Sequence, residues 1–447
     1  MMNIFYSRLV LVTTSLLIGA APAFAKEDFY VSGGLHVDLG WEVGIGAFTS
    51  PNSNFGLGRI DLETGKNTGD ANWLEGYTRS TLGLRYDIDT RTELFAIVAG
   101  VTSATLGDGD VGGFTNDGSD IDLDQAYAGF SSSLLGGKDG GGWDVTVSGG
   151  RQKLQVGDGF LFWGGNFDTA GDKTFWLAPR QSFDLAGIVK LEGKSTSVTG
   201  FAVQADKDNA HTEVAGVDVG YSGDWGSVGL LGGRVLDENG TIVREGMSVV
   251  SARAKDIKVP GLNDLAVSGE LTYEFDGRDG VDFNAYGLYG QWTYTFADTP
   301  WKPELTYRFA KFSGDSDPSD SDIKSFDPLF YGFSGWGSWF MGEVVGEYML
   351  FNSNQITHMV KLSVAPTEST GAGLIYYHFD LDKANYFGTP VSSKSFADEL
   401  NAYAEWTVNE NLYLAGVAGF AVPDTAAKET FGNKTNWIFE VYATYTY

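Results

Sequence analysis

Apolar and polar residues alternate with a period of two through most of this chain. The final segment, 437–447, is the clearest. Trp437, Phe439, Val441, Ala443, Tyr445 and Tyr447 share one parity, and Ile438, Glu440, Tyr442, Thr444 and Thr446 share the other. Such a period marks a strand with one apolar face. About eighteen segments carry the pattern. They begin with 29–44, 73–87, 91–106, 120–133 and 143–156. The series continues through 180–192, 196–205, 212–221, 226–236, 246–256, 262–275, 281–296 and 302–312. It closes with 354–364, 371–381, 396–407, 412–420 and the final segment.

The connections alternate in length. Short turns at 88–90, 193–195, 364–368 and 408–411 separate longer polar stretches such as 107–119, 382–395 and 421–435. An antiparallel barrel that crosses an outer membrane has short turns on one side and long loops on the other. The expected fold is therefore all-β, a transmembrane antiparallel barrel of about 18 strands. The segment 336–351 reads as strand or short helix; it is assigned to the long loop 313–353, because a strand there would break the alternation.

Composition and address agree. Arg8, the apolar run 9–21 and Ala23-Phe24-Ala25 form a signal peptide over residues 1–25, leaving 26–447 as one barrel domain. With 61 Gly, 14% aromatic residues and only 43% hydrophobic residues, the chain does not read as a helical membrane protein. A barrel hides its membrane signal because only alternate residues meet lipid. There is no cysteine, which excludes thiol nucleophiles, thiolate metal sites and disulfides. Loss of Arg8 leaves 29 of the 30 Lys+Arg against 58 Asp+Glu, a charge of −29 in place of −28. Such a chain is a poor partner for nucleic acid.

With the apolar parity facing lipid, the other parity faces a lumen. Arg79 and Arg85 in 73–87, Asp184, Lys190 and Glu192 in 180–192, and Arg253 and Lys255 in 246–256 fall on that inner face. So do Glu270, Glu304, Lys361, Glu399, Asn401 and Glu405, and an acidic ladder of Asp120, Asp122 and Asp124. A barrel of this size holds a water-filled channel whose charged wall selects what passes. The bland reading of the same residues is a wetted lumen whose charges pair with one another.

Three blocks carry a family resemblance. The first is G-R-Q-K-L-Q-V-G-D-G-F-L-F from Gly150, followed by R-Q-S-F-D from Arg180. The second is Tyr307-Arg308-Phe309-Ala310, Ser313-Gly314-Asp315 and Ser325 to Phe330. The third is Asn352-Ser353-Asn354, Ala365-Pro366-Thr367 and Glu399 to Tyr403. In this order they resemble the alginate-export family of outer-membrane porins, over roughly residues 75–447. The resemblance implies a monomeric eighteen-stranded conduit for an acidic polysaccharide, with Arg151, Arg180 and Arg308 as lining bases. Arg151 is out of parity with Val145 and Val147, so a bulge at Gly149-Gly150 is needed to turn it inward. The acids on the same faces depart from a purely basic constriction.

Other constellations are weaker. Gly107 to Gly112 matches G-x-G-x-x-G without a βαβ unit around it. Asp108 and Asp110, and Asp315 and Asp317, are candidate Ca²⁺ ligands, with solvated acidic loops as the simpler reading. His378 shares a parity with Tyr376 and Asp380, as a barrel hydrolase would want, although such a trio is more often wall packing than a catalytic site. Trp41, Trp73, Trp143, Trp292, Trp406 and Trp437 are candidates for interfacial girdles. Tyr376, Tyr403 and Tyr442 are candidate stacking residues in the lumen.

The expectation is an outer-membrane porin of a Gram-negative bacterium, without cofactor or catalytic site. It passes small polar or charged solutes, acidic saccharides included, by passive diffusion, with the loop 157–179 or 313–353 narrowing the bore. The alternatives are a dedicated secretion conduit for an acidic exopolysaccharide, a barrel hydrolase, and a structural or adhesive barrel. The expected partners are outer-membrane lipid and lipopolysaccharide, the solutes, and the barrel-assembly machinery acting on the C-terminal strand.

Overall fold

A computed structural model describes residues 28–447 except 61–66, 112–114, 135, 166–172, 240–243, 279, 318–319 and 333–341. The expected signal segment lies outside the described residues. The described residues form a closed antiparallel barrel of 18 strands. These are β1 (Leu35–Ser50), β2 (Ala71–Asp87), β3 (Thr92–Gly107), β4 (Gly118–Leu134), β5 (Trp143–Gln152) and β6 (Phe183–Glu192). Next come β7 (Thr196–Gln204), β8 (Glu213–Gly223), β9 (Gly226–Asp237), β10 (Ser248–Val259), β11 (Leu262–Asp276) and β12 (Asp282–Thr295). The last are β13 (Glu304–Phe312), β14 (Gln355–Thr367), β15 (Thr370–Leu381), β16 (Ser395–Thr407), β17 (Leu412–Pro423) and β18 (Asn436–Thr446).

Each strand pairs with its sequence neighbours, and β1 closes the ring on β18 from Glu42↔Thr446 to Thr49↔Phe439. Closure removes the edges that an open sheet would present to lipid. Among the described residues no helix is long and apolar enough to cross a membrane; strands do the crossing. The outward parity is exposed and apolar, as in Leu82 and Leu84 on β2, Leu185 and Val189 on β6, and Phe439 and Val441 on β18.

The structure shifts some expected boundaries. The segment 29–44 is not one strand. It is a short strand, Asp28–Ser32, turning back onto β1 through Gly33 and Gly34 at φ +61° and +87°. Glycine, with no Cβ, takes two such residues in succession without a steric penalty. The strands flanking the first inward loop are shorter than the periodicity suggested, ending at Gln152 and restarting at Phe183. The apolar residues of 153–156 pack inside the barrel, so alternation ceases to report a wall. Gly342–Leu350 is helical and lies within the loop between β13 and β14, so the described part of 336–351 adds no strand.

Candidate functional site: a charged lumen narrowed by two loops

Two long connections fold into the barrel. The first, 153–182, carries Leu154, Val156, Phe160, Leu161 and Phe162 into a cluster with the wall residues Phe183, Ile188, Phe201 and Phe312. The second, 313–354, adds Phe326, Leu329 and Phe330 to the same cluster. Phe162 meets Phe201 edge-on at 5.2 Å and Phe330 at 5.7 Å between ring centroids. Burying each such ring stabilises the inward position by about 2 kcal/mol. The loops also bond to one another. Trp163 N donates to Phe330 O at 2.7 Å, Phe330 N to Leu161 O at 2.9 Å, and Gly332 N to Gly159 O at 2.9 Å. Val344, Val345, Met349 and Leu350 pack against Met359, Ile375, Tyr377 and Phe379 on the opposite wall. Both loops expected to narrow the bore therefore turn inward, and they do so as one packed unit.

Between the first loop and the short-turn ends of β1 to β6 lies a cavity of about 630 Å³. Arg85, Lys153 and Lys190 line it with Asp38 and Glu93, and Gln125, Gln152, Gln155 and Gln181 supply amides. Arg85 stands 3.8 Å from Glu93, and Lys153 donates to Gln181 at 2.9 Å. This part of the lumen presents both charge signs to water.

The expected wall residues divide into two groups. Arg79 faces inward, donating to Asp124 at 2.7 Å with Glu42 at 3.9 Å. Arg151 reaches Asp184 across the predicted bulge, where the β5–β6 register shifts between Gly150 and Gln152. Arg253 makes a two-pronged pair with Asp218 at 2.6 and 2.8 Å. Lys361 lies 5.7 Å from the Tyr403 ring centre. Glu304 accepts from Thr295 at 3.0 Å and Glu405 from Tyr413 at 2.9 Å. Lys255 lies on the inner face across from Ser227, and Glu192 sits exposed at the end of β6.

The second group is buried by the loops and does not line open water. Arg180 is 1% exposed, bonded to Ser103 at 3.1 Å and to Lys173 O at 2.6 Å. Arg308, also 1% exposed, donates to Gln291 at 2.7 and 3.0 Å. Glu270 accepts from Ser251 at 2.6 Å beneath the first loop. Asn401 donates to Glu399 at 2.8 Å, and Glu399 accepts main-chain N–H groups from Val344 and Val345. Strand parity places Arg308, Glu270, Asn401 and Glu399 inside the barrel, whereas Arg180 precedes β6 and is carried in by the first loop itself; in each case the loops decide that the side chain is covered.

Several other expectations are corrected. Trp73 points inward and stacks on Phe48 at 5.0 Å, whereas Trp41, Trp143, Trp292, Trp406 and Trp437 face outward. Tyr376 and His378 lie on the outer face, where both contact Asp398, at 2.7 and 2.8 Å; neither lines the lumen. Tyr403 and Tyr442 do point inward but are buried. The acidic ladder of β4 is broken by a register shift opposite Ala99 and Gly100, so Asp124 and Gln125 are both buried inside. Three of the four carboxylates expected for Ca²⁺ serve as loop caps. Asp108 accepts from Asn72 N at 2.7 Å, Asp110 from Thr115 N at 2.6 Å, and Asp315 from Asp317 N at 2.9 Å. Asp317 follows Asp315 in the same turn. Among the described residues no cluster suits a metal ion.

Sequence reading passed over Asp38, Glu42, Glu75, Asp218 and Glu440, although parity with Arg79 or with the polar face of β18 was available for Glu75 and Glu440. At the long-loop end, Arg244 forms a two-pronged pair with Asp327, bonding Nη2 to Oδ1 at 2.8 Å. Desolvation alone would lower the Arg244 pKa, but Asp327 outweighs it and the net shift is upward. Asp382 is desolvated too, yet the Gly314 N–H, Lys311 and Lys383 hold its carboxyl below the ordinary value.

A closed barrel of this strand number, with charged interior and loops folded into the bore, is a porin architecture. Residues 225–391 match the family model described as "Alginate export". That stretch spans β9 to β15, so the blocks at 150–184 and 399–403 lie outside it. No curated protein matches the chain. Among solved structures it is similar to Pseudomonas aeruginosa OccK5 (OpdH), at 8% identity and TM-score 0.55, covering 91% of this chain and 97% of that one. It is similar to a BenF-like porin from Pseudomonas fluorescens Pf-5, at 12% identity and TM-score 0.56, covering 92% and 98%. The outer membrane protein OprD from Pseudomonas aeruginosa matches at 10% identity and TM-score 0.56, covering 92% and 93%. At these identities the likeness is one of fold.

Proposed function

We propose that this chain is a monomeric outer-membrane porin of a Gram-negative bacterium. It passes small polar or charged solutes, acidic saccharides included, by passive diffusion. The observation that carries the reading is a closed barrel whose water-facing interior holds Arg85, Lys153, Lys190, Asp38 and Glu93 beside two inward loops. Such a lumen orders solutes by size and charge and needs no catalytic group. The five exposed outward Trp side chains are of the kind that forms girdles at a barrel's interfaces with lipid and lipopolysaccharide. The exposed apolar face of β18 is the natural handle for the barrel-assembly machinery. One neighbour is named a BenF-like porin and another an outer membrane protein, which favours the same reading.

A second reading, a conduit for an acidic polysaccharide, is favoured by the "Alginate export" match and by the bases Arg79 and Arg151 beside the first loop. Each of these bases is paired with an aspartate, which weakens the attraction for a polyanion. The test is the reversal potential across a KCl gradient in a planar bilayer, repeated with an oligouronate. Weak selectivity without block is the expected result. Strong anion selectivity with uronate block would replace the general porin by the polysaccharide conduit. Well-folded protein that does not conduct overturns both.

A further inference from the structure

Four carboxyl groups on the inner wall do not meet the lumen at all. Glu75 on β2, Asp124 on β4, Glu274 on β11 and Glu399 on β16 are 2%, 0%, 0% and 1% exposed. Each accepts main-chain N–H groups from an inward loop. Glu75 takes Trp176 N at 3.1 Å and Leu177 N at 2.9 Å, one on each oxygen. Asp124 takes Gln181 N at 3.0 Å and Ser182 N at 3.3 Å on Oδ1, and Arg79 on Oδ2. Glu274 takes Asp327 N at 3.1 Å. Glu399 takes Val344 N at 3.2 Å and Val345 N at 2.9 Å, at the start of the helical segment.

The physical reason is general. An irregular loop inside a barrel buries main-chain N–H groups that must find acceptors. The ladder between strands already uses most of the wall's carbonyls. Loop N–H groups that find no main-chain acceptor, in the wall or in the loops themselves, turn to wall side chains. A carboxylate is an acceptor with two oxygens and several lone pairs, so one residue serves two adjacent N–H groups. The clamp reads backbone, so it fixes a loop's position whatever side chains the loop carries.

We propose that Glu75, Asp124, Glu274 and Glu399 are positioning residues that set the bore by clamping both inward loops to the wall. The inference rests on the porin reading for its conductance test. It also changes how the inner charge is counted. These four acids are occupied by the loops, so the permeant meets the residues around the cavity, Arg85 and Lys190 among them, and not the full acidic inventory of the wall.

The test compares single-channel conductance and the largest neutral polymer admitted in the native protein, E75A, E399A and E399Q. The alanine variants are expected to raise conductance roughly twofold and admit a larger polymer, as a loop leaves the bore. E399Q keeps one acceptor oxygen and falls between. Folded alanine variants with native conductance and polymer cut-off would overturn the proposal. A measurement without substitution covers the case in which those variants do not fold. Amide hydrogen exchange at Trp176, Leu177, Val344 and Val345 in the native protein is expected to be at least about tenfold slower than at the exposed turn residues Asp208, Asp298 and Asn409. Equal exchange there overturns the clamp. A native protein that fails to conduct but shows this protection would sink the porin reading and leave the clamp standing.

Discussion

Gly150 shows how one residue redirects a functional side chain. Its φ is +127°, and a Cβ there would stand 2.4 Å from Ala126 O and 2.8 Å from the Tyr127 Cα. The bulge it permits turns Arg151 toward Asp184 on the inner face. That turn was legible in the sequence, because Arg151 is out of parity with the outward residues before it and two glycines precede it. The equivalent break at Asp124 was not. Nothing in Asp120 to Gln125 marks a register shift, since polar residues fit either face. Substitution G150A is expected to destabilise the folded barrel by about 2 kcal/mol through strain and contact. The measurement is the temperature at which the compact barrel band is lost on a gel; an unchanged temperature would contradict the assigned conformation.

At the scale of elements, strands were legible and loop trajectories were not. Alternation reports a surface with two different sides, and each wall strand has one. The loops 153–182 and 313–354 have no repeating environment, so Phe160, Phe162, Phe326 and Phe330 carry no periodic signal of the cluster they form. Their long-range partners also decide which charges are covered. Arg180, Arg308, Glu270 and Glu399 looked like lining residues, and the loops bury them. At the outer end, Arg244 and Asp327 tie the loop between β9 and β10 to the second inward loop. D327A would leave the Arg244 guanidinium largely buried without its carboxylate partner, at a cost of about 3 kcal/mol. The expected result is earlier thermal unfolding and faster protease cleavage in 313–354. Unchanged values for both would mean that the pair does not hold the loop.

At the scale of the whole molecule, the seam between β1 and β18 decides whether a barrel exists. Its register runs from Glu42↔Thr446 to Thr49↔Phe439, with Trp41 and Tyr447 exchanging main-chain bonds at 2.9 and 2.7 Å. Removing residues 437–447 would leave two unpaired strand edges facing lipid, which hydrocarbon does not tolerate. The expected outcome is loss of the heat-resistant compact band and of all conductance; a truncated protein that retained both would show that closure does not depend on β18.

The amino-acid sequence by itself determined the strand number, the antiparallel connectivity, the alternation of short and long connections, and which parity meets lipid. These are local properties, set by a period of two and by where turns fall. The tertiary structure alone decided how far the two loops enter the lumen, which charges they cover, and which wall acids hold their main chain. Those outcomes depend on contacts between residues as distant as Glu75 and Leu177, or Val345 and Glu399. No local pattern encodes such pairs, because a carboxyl group on an inner face has the same sequence signature whether it meets water or a loop's N–H groups.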